Sequence, residues 1–192
     1  MTSIIKLGVM LVISIVLTGC AAEAKLGKAD VSGFNAANAT VQVEYSIPSD
    51  AELTAEEMTE QQQLRLTEIQ DLLKLHGFKP VSEGNSNFKI KISEGPVEEI
   101  TGEWAGALGA NAVIFTLGVV PAIFSYRTRI HYELWAGPEQ LHKIDTPAEW
   151  DEAIGLISVS STLSGADAAR SKARTEAHDS VLRLWIEQGS FE

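Results

Sequence analysis

The stretch Ser125 to Ala136, SYRTRIHYELWA, alternates without a break. Tyr126, Thr128, Ile130, Tyr132 and Leu134 fall on one side of it, and Arg127, Arg129, His131, Glu133 and Trp135 on the other. Side chains with a period of two, apolar on one side and charged on the other, make a strand with one face buried and one in water. Such a strand needs neighbours of the same kind, and two precede it. In Val41 to Ile47, the residues Val41, Val43, Tyr45 and Ile47 alternate with Gln42, Glu44 and Ser46. In Phe88 to Ser93, the residues Phe88, Ile90 and Ile92 face in while Lys89 and Lys91 face out. Gly137-Pro138 turns the chain after the long strand, Leu141 to Asp145 returns as a short hairpin partner, and a further strand runs from about Ala153 to Ser160.

Two segments carry the helical period instead. One begins near Thr54, with Glu57 three residues on in the spacing of a capping box, and Glu52, Glu56, Glu57 and Glu60 favour the positive end of its dipole. Leu66, Ile69, Leu72 and Leu73, extended by Met58 and Leu75, form its buried stripe. Gly77 and Phe78 follow His76 as a glycine cap with an apolar residue behind it, and Pro80 prevents continuation. The other helix runs from about Ala166 to Gln188, with Ala169, Ala173, Ala177, Val181, Leu184 and Trp185 along one side. The order predicts an α+β fold. It would be a two-layer sandwich, with a mixed or mostly antiparallel sheet of four or five strands, two long helices on one face and an apolar helical insert.

Charge and cysteine content narrow the functional classes. The chain carries 15 basic and 26 acidic residues among 192. Only Lys6 is charged in the first nineteen, so the 173 residues from Cys20 onward hold 14 basic against 26 acidic, a net −12. So acidic a chain repels phosphate backbones and lacks a basic block, which argues against nucleic acid and against a polybasic attachment to anionic lipid. The single cysteine, Cys20, excludes an internal disulfide, a Cys-based zinc site and a separate thiol nucleophile.

Met1 to Lys6 is a short basic segment, and Leu7 to Leu17 is an apolar run shorter than a membrane-spanning helix of about 20 residues. The run ends in Leu17-Thr18-Gly19-Cys20. An aliphatic residue three before the cysteine and a small one immediately before it resemble the lipobox of bacterial lipoproteins. The resemblance covers the first twenty residues and implies a type II signal peptide over residues 1–19, cleavage between Gly19 and Cys20, and lipid on the Cys20 sulfur. Two or more acyl chains would hold the protein at a membrane permanently. Ala21 stands where an Asp signals inner-membrane retention in enteric-type bacteria, so in a host with two membranes the expected place is the outer membrane, facing the periplasm. Residues 20–40, rich in Ala, Gly, Asn and Ser, read as a tether, and residues 41–192 as one domain. The element order is similar in outline to the two-layer modules of the lipopolysaccharide-assembly lipoproteins, without any shared residue motif.

Between Glu103 and Arg127 lie 23 residues without a charge, Trp104 to Tyr126. The insert at residues 104–124 has three readings: a buried helix or helical hairpin of the core, a hairpin on or in the bilayer, or a full membrane span. Gly106, Gly109, Gly118 and Pro121 interrupt it, and a single span would put the flanking strands on opposite sides of a membrane. If it meets lipid, Trp104, Leu108, Val113, Ile114, Phe115, Leu117 and Val120 are the contact residues, with Trp104 as the interfacial anchor.

Catalytic chemistry finds little purchase. His76, His131, His142 and His178 have no metal-ligand spacing; His131 and His142 would meet across the hairpin, with no third ligand. Ser158, Ser160, Ser161 and Ser164 lack a Gly-x-Ser-x-Gly elbow, and the acidic pairs Glu98-Glu99 and Asp151-Glu152 read as loop residues. No phosphate loop is present. The expectation is therefore a protein without catalytic residues, cofactor or metal. It would be an accessory or structural subunit of a membrane-associated envelope complex, held by acyl chains on Cys20 and bound to a protein partner. The alternative is a periplasmic module that binds or transports a lipid or glycolipid.

Overall fold

The computed structural model describes Ala36 and residues 39–48, 53–82, 84–116, 121–154 and 159–192. Gly19, Cys20, Leu117, Val120 and nearly all of the tether lie outside the described residues. The long alternating strand is β5, Ala122–Ala136, and it turns at Gly137 (φ 58°) into β6, Glu139–Ile154. The two pair antiparallel along their whole length, with one irregularity between Leu134 and Trp135. At about 3.4 Å per residue this hairpin is about 50 Å long.

The expected short hairpin partner is part of one long strand, β6, which ends at Ile154. Of the strand expected at Ala153 to Ser160 only the first two residues belong to it; residues 155–158 lie outside the described residues, and Val159 and Ser160 belong to the last helix. Two features hid the length of β6. Thr146 and Ala148 are weak members of the inward row Ile144, Thr146, Ala148, Trp150, and Pro147 cannot donate to a ladder. Among the described residues β6 pairs with β5 alone, so one row of its N–H groups has no partner strand, the setting in which a sheet tolerates proline.

On the other side of β5 lies β3, Phe88–Glu94, antiparallel to it, with Ile90 opposite Leu134 and Ile92 opposite Tyr132. The two-residue β4, Glu98–Glu99, pairs with Arg127 and Tyr126 farther along β5. β1, Thr40–Ser46, is parallel to β3, and beyond it lies β2, Lys79–Val81, also parallel. The sheet is therefore mixed and six-stranded. β2 went unseen because it is three residues long and contains Pro80, which an edge position permits.

Between β1 and β2 the chain crosses over as α1, Ala55–Leu75. Thr54 and Glu57 form the full capping box. At the other end Gly77 takes φ 89°, its N–H bonds to the Lys74 carbonyl, and that of Phe78 to the Leu73 carbonyl. Both orphan carbonyls are thus satisfied in a Schellman motif, with Phe78 buried beneath it. The last helix, α3, is Val159–Glu187, so it begins earlier than the alanine pattern suggested. Val41, Val43, Ile90, Ile92, Ile130, Tyr132 and Leu134 on one face of the sheet join Ile69, Leu72 and Leu73 of α1 and Ala173, Ala177, Val181, Leu182, Trp185 and Ile186 of α3 in one core. Leu184 and Leu75, assigned to the buried stripes from sequence, are exposed; Leu182 and Ile186 take the inward positions. The opposite face of the sheet carries the charged row.

The charge-free insert forms α2, Glu103–Phe115, on the outer end of β5. Gly109 faces Ala122 so closely that a Cβ there would lie 3.0 Å from that of Ala122. The helix is not a core element: Leu108 and Ile114 are each 67% exposed and Phe115 is 84% exposed. No helix of the described residues is long and apolar enough to cross a membrane. Residues 122–124 of the insert belong to β5.

Candidate functional site

Two places depart from an ordinary two-layer protein. The first is the outward side of α2. Leu108, Ile114 and Phe115 are exposed there, while Ile123, next to the Ala122 that meets Gly109, is 60% exposed on the opposite face of the sheet. These three side chains of the helix form the most exposed apolar feature of α2 on a strongly acidic chain. Of the other residues singled out from sequence, Trp104 and Val113 also belong to α2. The Gly109 contact explains why one helix face is closed and the other open: the glycine lets the helix settle on β5, and no element covers its far side among the described residues.

The second is a polar chain inside the sandwich, and sequence reading missed it. Tyr132 Oη lies 2.7 Å from Nδ1 of His178, and Tyr45 Oη lies 3.4 Å from Nε2 of the same ring. Tyr45 donates its proton to Oε1 of Glu94, and Nε of Arg174 donates to Oε2 at 3.0 Å. Proton counting fixes the directions. Since Tyr45 gives its hydrogen to Glu94, its oxygen accepts from His178, so Nε2 bears the ring proton and Nδ1 accepts from Tyr132. Burial pushes His178 down to about 3, with Arg174 and Arg65 adding to the effect. Burial, followed by the Glu94 charge, raises both tyrosines well above the ordinary phenol range. Burial lowers Arg174 as well, opposed by Glu94. The ring is thus held neutral, as a structural partner of two phenols.

The remaining histidines do not form the cross-strand pair considered from sequence. His131 on the open face is bonded to Asp145, its register partner, and lies 3.5 Å from Glu133. His142 points into the other face, donating or accepting at 2.7 Å with Ser190 and stacking on Trp185. The hairpin register separates them, because residues of opposite parity face opposite sides. His76 sits against Asp179 at 2.7 Å and joins the end of α1 to α3. Among the described residues no three His, Cys, Asp or Glu side chains converge to hold a metal. On the open face Lys91 lies over Trp135 at 5.0 Å, and Lys89 pairs with Glu44.

No protein-family model and no curated protein matches the sequence. Among solved structures, the chain is similar to rare lipoprotein B from Shewanella oneidensis at 12% identity and a TM-score of 0.47, with 78% of this chain and 96% of that one covered. It is also similar to a minor lipoprotein from Acinetobacter baumannii at 8% identity and a TM-score of 0.45, with 79% and 92% covered.

Proposed function

We propose that this protein is a lipid-anchored bacterial envelope lipoprotein, a non-catalytic accessory subunit of a membrane-associated complex, whose α2 rests on the bilayer that holds the Cys20 lipids. The residues Leu17-Thr18-Gly19-Cys20 support the anchor, and Ala21 supports an outer-membrane place facing the periplasm. The observation that carries the reading is the open apolar side of α2, where Leu108, Ile114 and Phe115 stand in water on an otherwise acidic molecule. Each such side chain gains about 1.5–3 kcal/mol on full burial, so the three together amount to a weak, reversible membrane contact. Added to acyl chains it would orient the domain on the surface. The unpaired edge of β6 is then free for a protein partner.

Flotation of the unacylated Cys20→Ser protein with phospholipid vesicles tests this. The protein should rise with the vesicles, and Ile114→Asp should lower the bound fraction at least about tenfold, since it loses the gain of one buried side chain and adds a charge. If the Cys20→Ser protein remains with the buffer at every lipid concentration, α2 does not meet the bilayer.

A further inference from the structure

At the outer end of the polar chain, where α1 and α3 pass the end of β3, there is a cavity of about 280 Å³. Arg65 from α1 and Arg170 and Arg174 from α3 enter it, with Glu94 and Asp167 as its carboxylates. Its remaining polar side chain is Gln61, and Ile47, Pro48, Leu53 and Val97 form an apolar rim.

Two of the three arginines are only partly satisfied by the protein. Arg174 has a side chain only 6% exposed, and while its Nε bonds to Glu94, its Nη1 has no partner. Arg170 lies over the Trp150 ring at 5.3 Å and reaches Glu152 at 3.5 Å through Nη2, leaving a buried Nε without a partner. Arg65 pairs with Glu68, which also accepts from Ser171. Each guanidinium thus has one carboxylate beside it, but Glu94 is already shared between Tyr45 and Arg174, and the buried Arg174 Nη1 and Arg170 Nε are left without an acceptor. Buried donors are rarely left unpaired in proteins, and guanidinium groups match carboxylate and phosphate oxygens in shape as well as charge.

We propose that this cavity binds the anionic headgroup, carboxylate or phosphate, of an amphiphile, with Arg174 and Arg170 donating to its oxygens and the rim holding the first carbons of its tail. A recess of this size suits a headgroup and a short piece of chain rather than a whole lipid. The site lies on the opposite side of the polar network from the core and does not involve α2.

Isothermal titration of the full-length Cys20→Ser protein with octyl phosphate, sodium octanoate and inorganic phosphate tests the proposal. Saturable binding of octyl phosphate or octanoate is expected, weakened at least about tenfold by Arg170→Gln, whose partly exposed side chain makes it the variant safest to fold. Arg174→Lys should weaken binding as much with its far-ultraviolet circular dichroism unchanged. Leu53→Asp should weaken octyl phosphate but not inorganic phosphate, and Ile114→Asp should change neither, which separates this cavity from the surface of α2. Equal affinity for inorganic phosphate and octyl phosphate would support the anion site and assign it to the free ion. Absence of saturable binding for all three probes, or binding unchanged in Arg170→Gln and in folded Arg174→Lys, would overturn it.

Discussion

His178 illustrates how a single residue is set by what surrounds it. In the unfolded chain its ring titrates near 6.5, whereas burial holds the folded value near 3. Between those values the unfolded state binds a proton that the folded state does not, so stability falls as pH drops below about 6.5 and continues to fall towards 3. One proton corresponds to about 1.4 kcal/mol per pH unit, so His178 should account for about 2 kcal/mol lost between pH 7 and pH 5. Urea denaturation of the wild type and His178→Gln at both pH values measures this. The variant should start less stable at pH 7, because two phenols lose their partner, and should lose about 2 kcal/mol less on acidification. An identical pH dependence in both proteins would contradict the neutral buried ring. The residue was visible in the sequence only indirectly. Arg174 and His178 are four apart beside the Ala173, Ala177, Val181 row, so the helical period places both on the inward side. What the sequence lacked was the partner set: Tyr45, Glu94 and Tyr132 come from three strands, and nothing local links them to α3.

At the scale of elements, legibility followed the strength of the local signal. The capping box at Thr54, the Gly77 cap and the two faces of β5 were all readable, because each depends on residues a few positions apart. β2 and the length of β6 were not, since both contain a proline that only an edge position makes harmless. The insert was the hardest case. Its composition left the core, the bilayer and a span open, the flanking strands argued against a span, and the deciding fact is the tertiary contact of Gly109 with Ala122, which fixes which side of α2 is closed. Because α2 lies outside the core cluster, its docking and the global fold should separate. Gly109→Leu cannot keep the 3.0 Å approach, so α2 should lift from β5. Limited proteolysis should then cut between residues 102 and 121 at least several-fold faster, while the urea midpoint moves little. A large fall in the urea midpoint would show that α2 is part of the cooperative core.

Taken whole, the molecule has one side for itself and others for its surroundings. Two helices close one face of the sheet; the other face carries charges that pair largely with one another, such as Lys89 with Glu44 and Arg127 with Glu98. The proposed surfaces for external partners are the apolar side of α2, the edge of β6 and the arginine cavity. A net −12 beyond residue 19 would not by itself bring such a protein to an anionic surface, so the account needs a covalent anchor. The most direct measurement is the intact mass of the native protein, extracted from cells in mild detergent. The account predicts an amino terminus at Cys20 bearing a diacylglyceryl thioether, with or without a further amide-linked acyl chain. A free Cys20 thiol, or a mature chain that begins at any other residue, would contradict it.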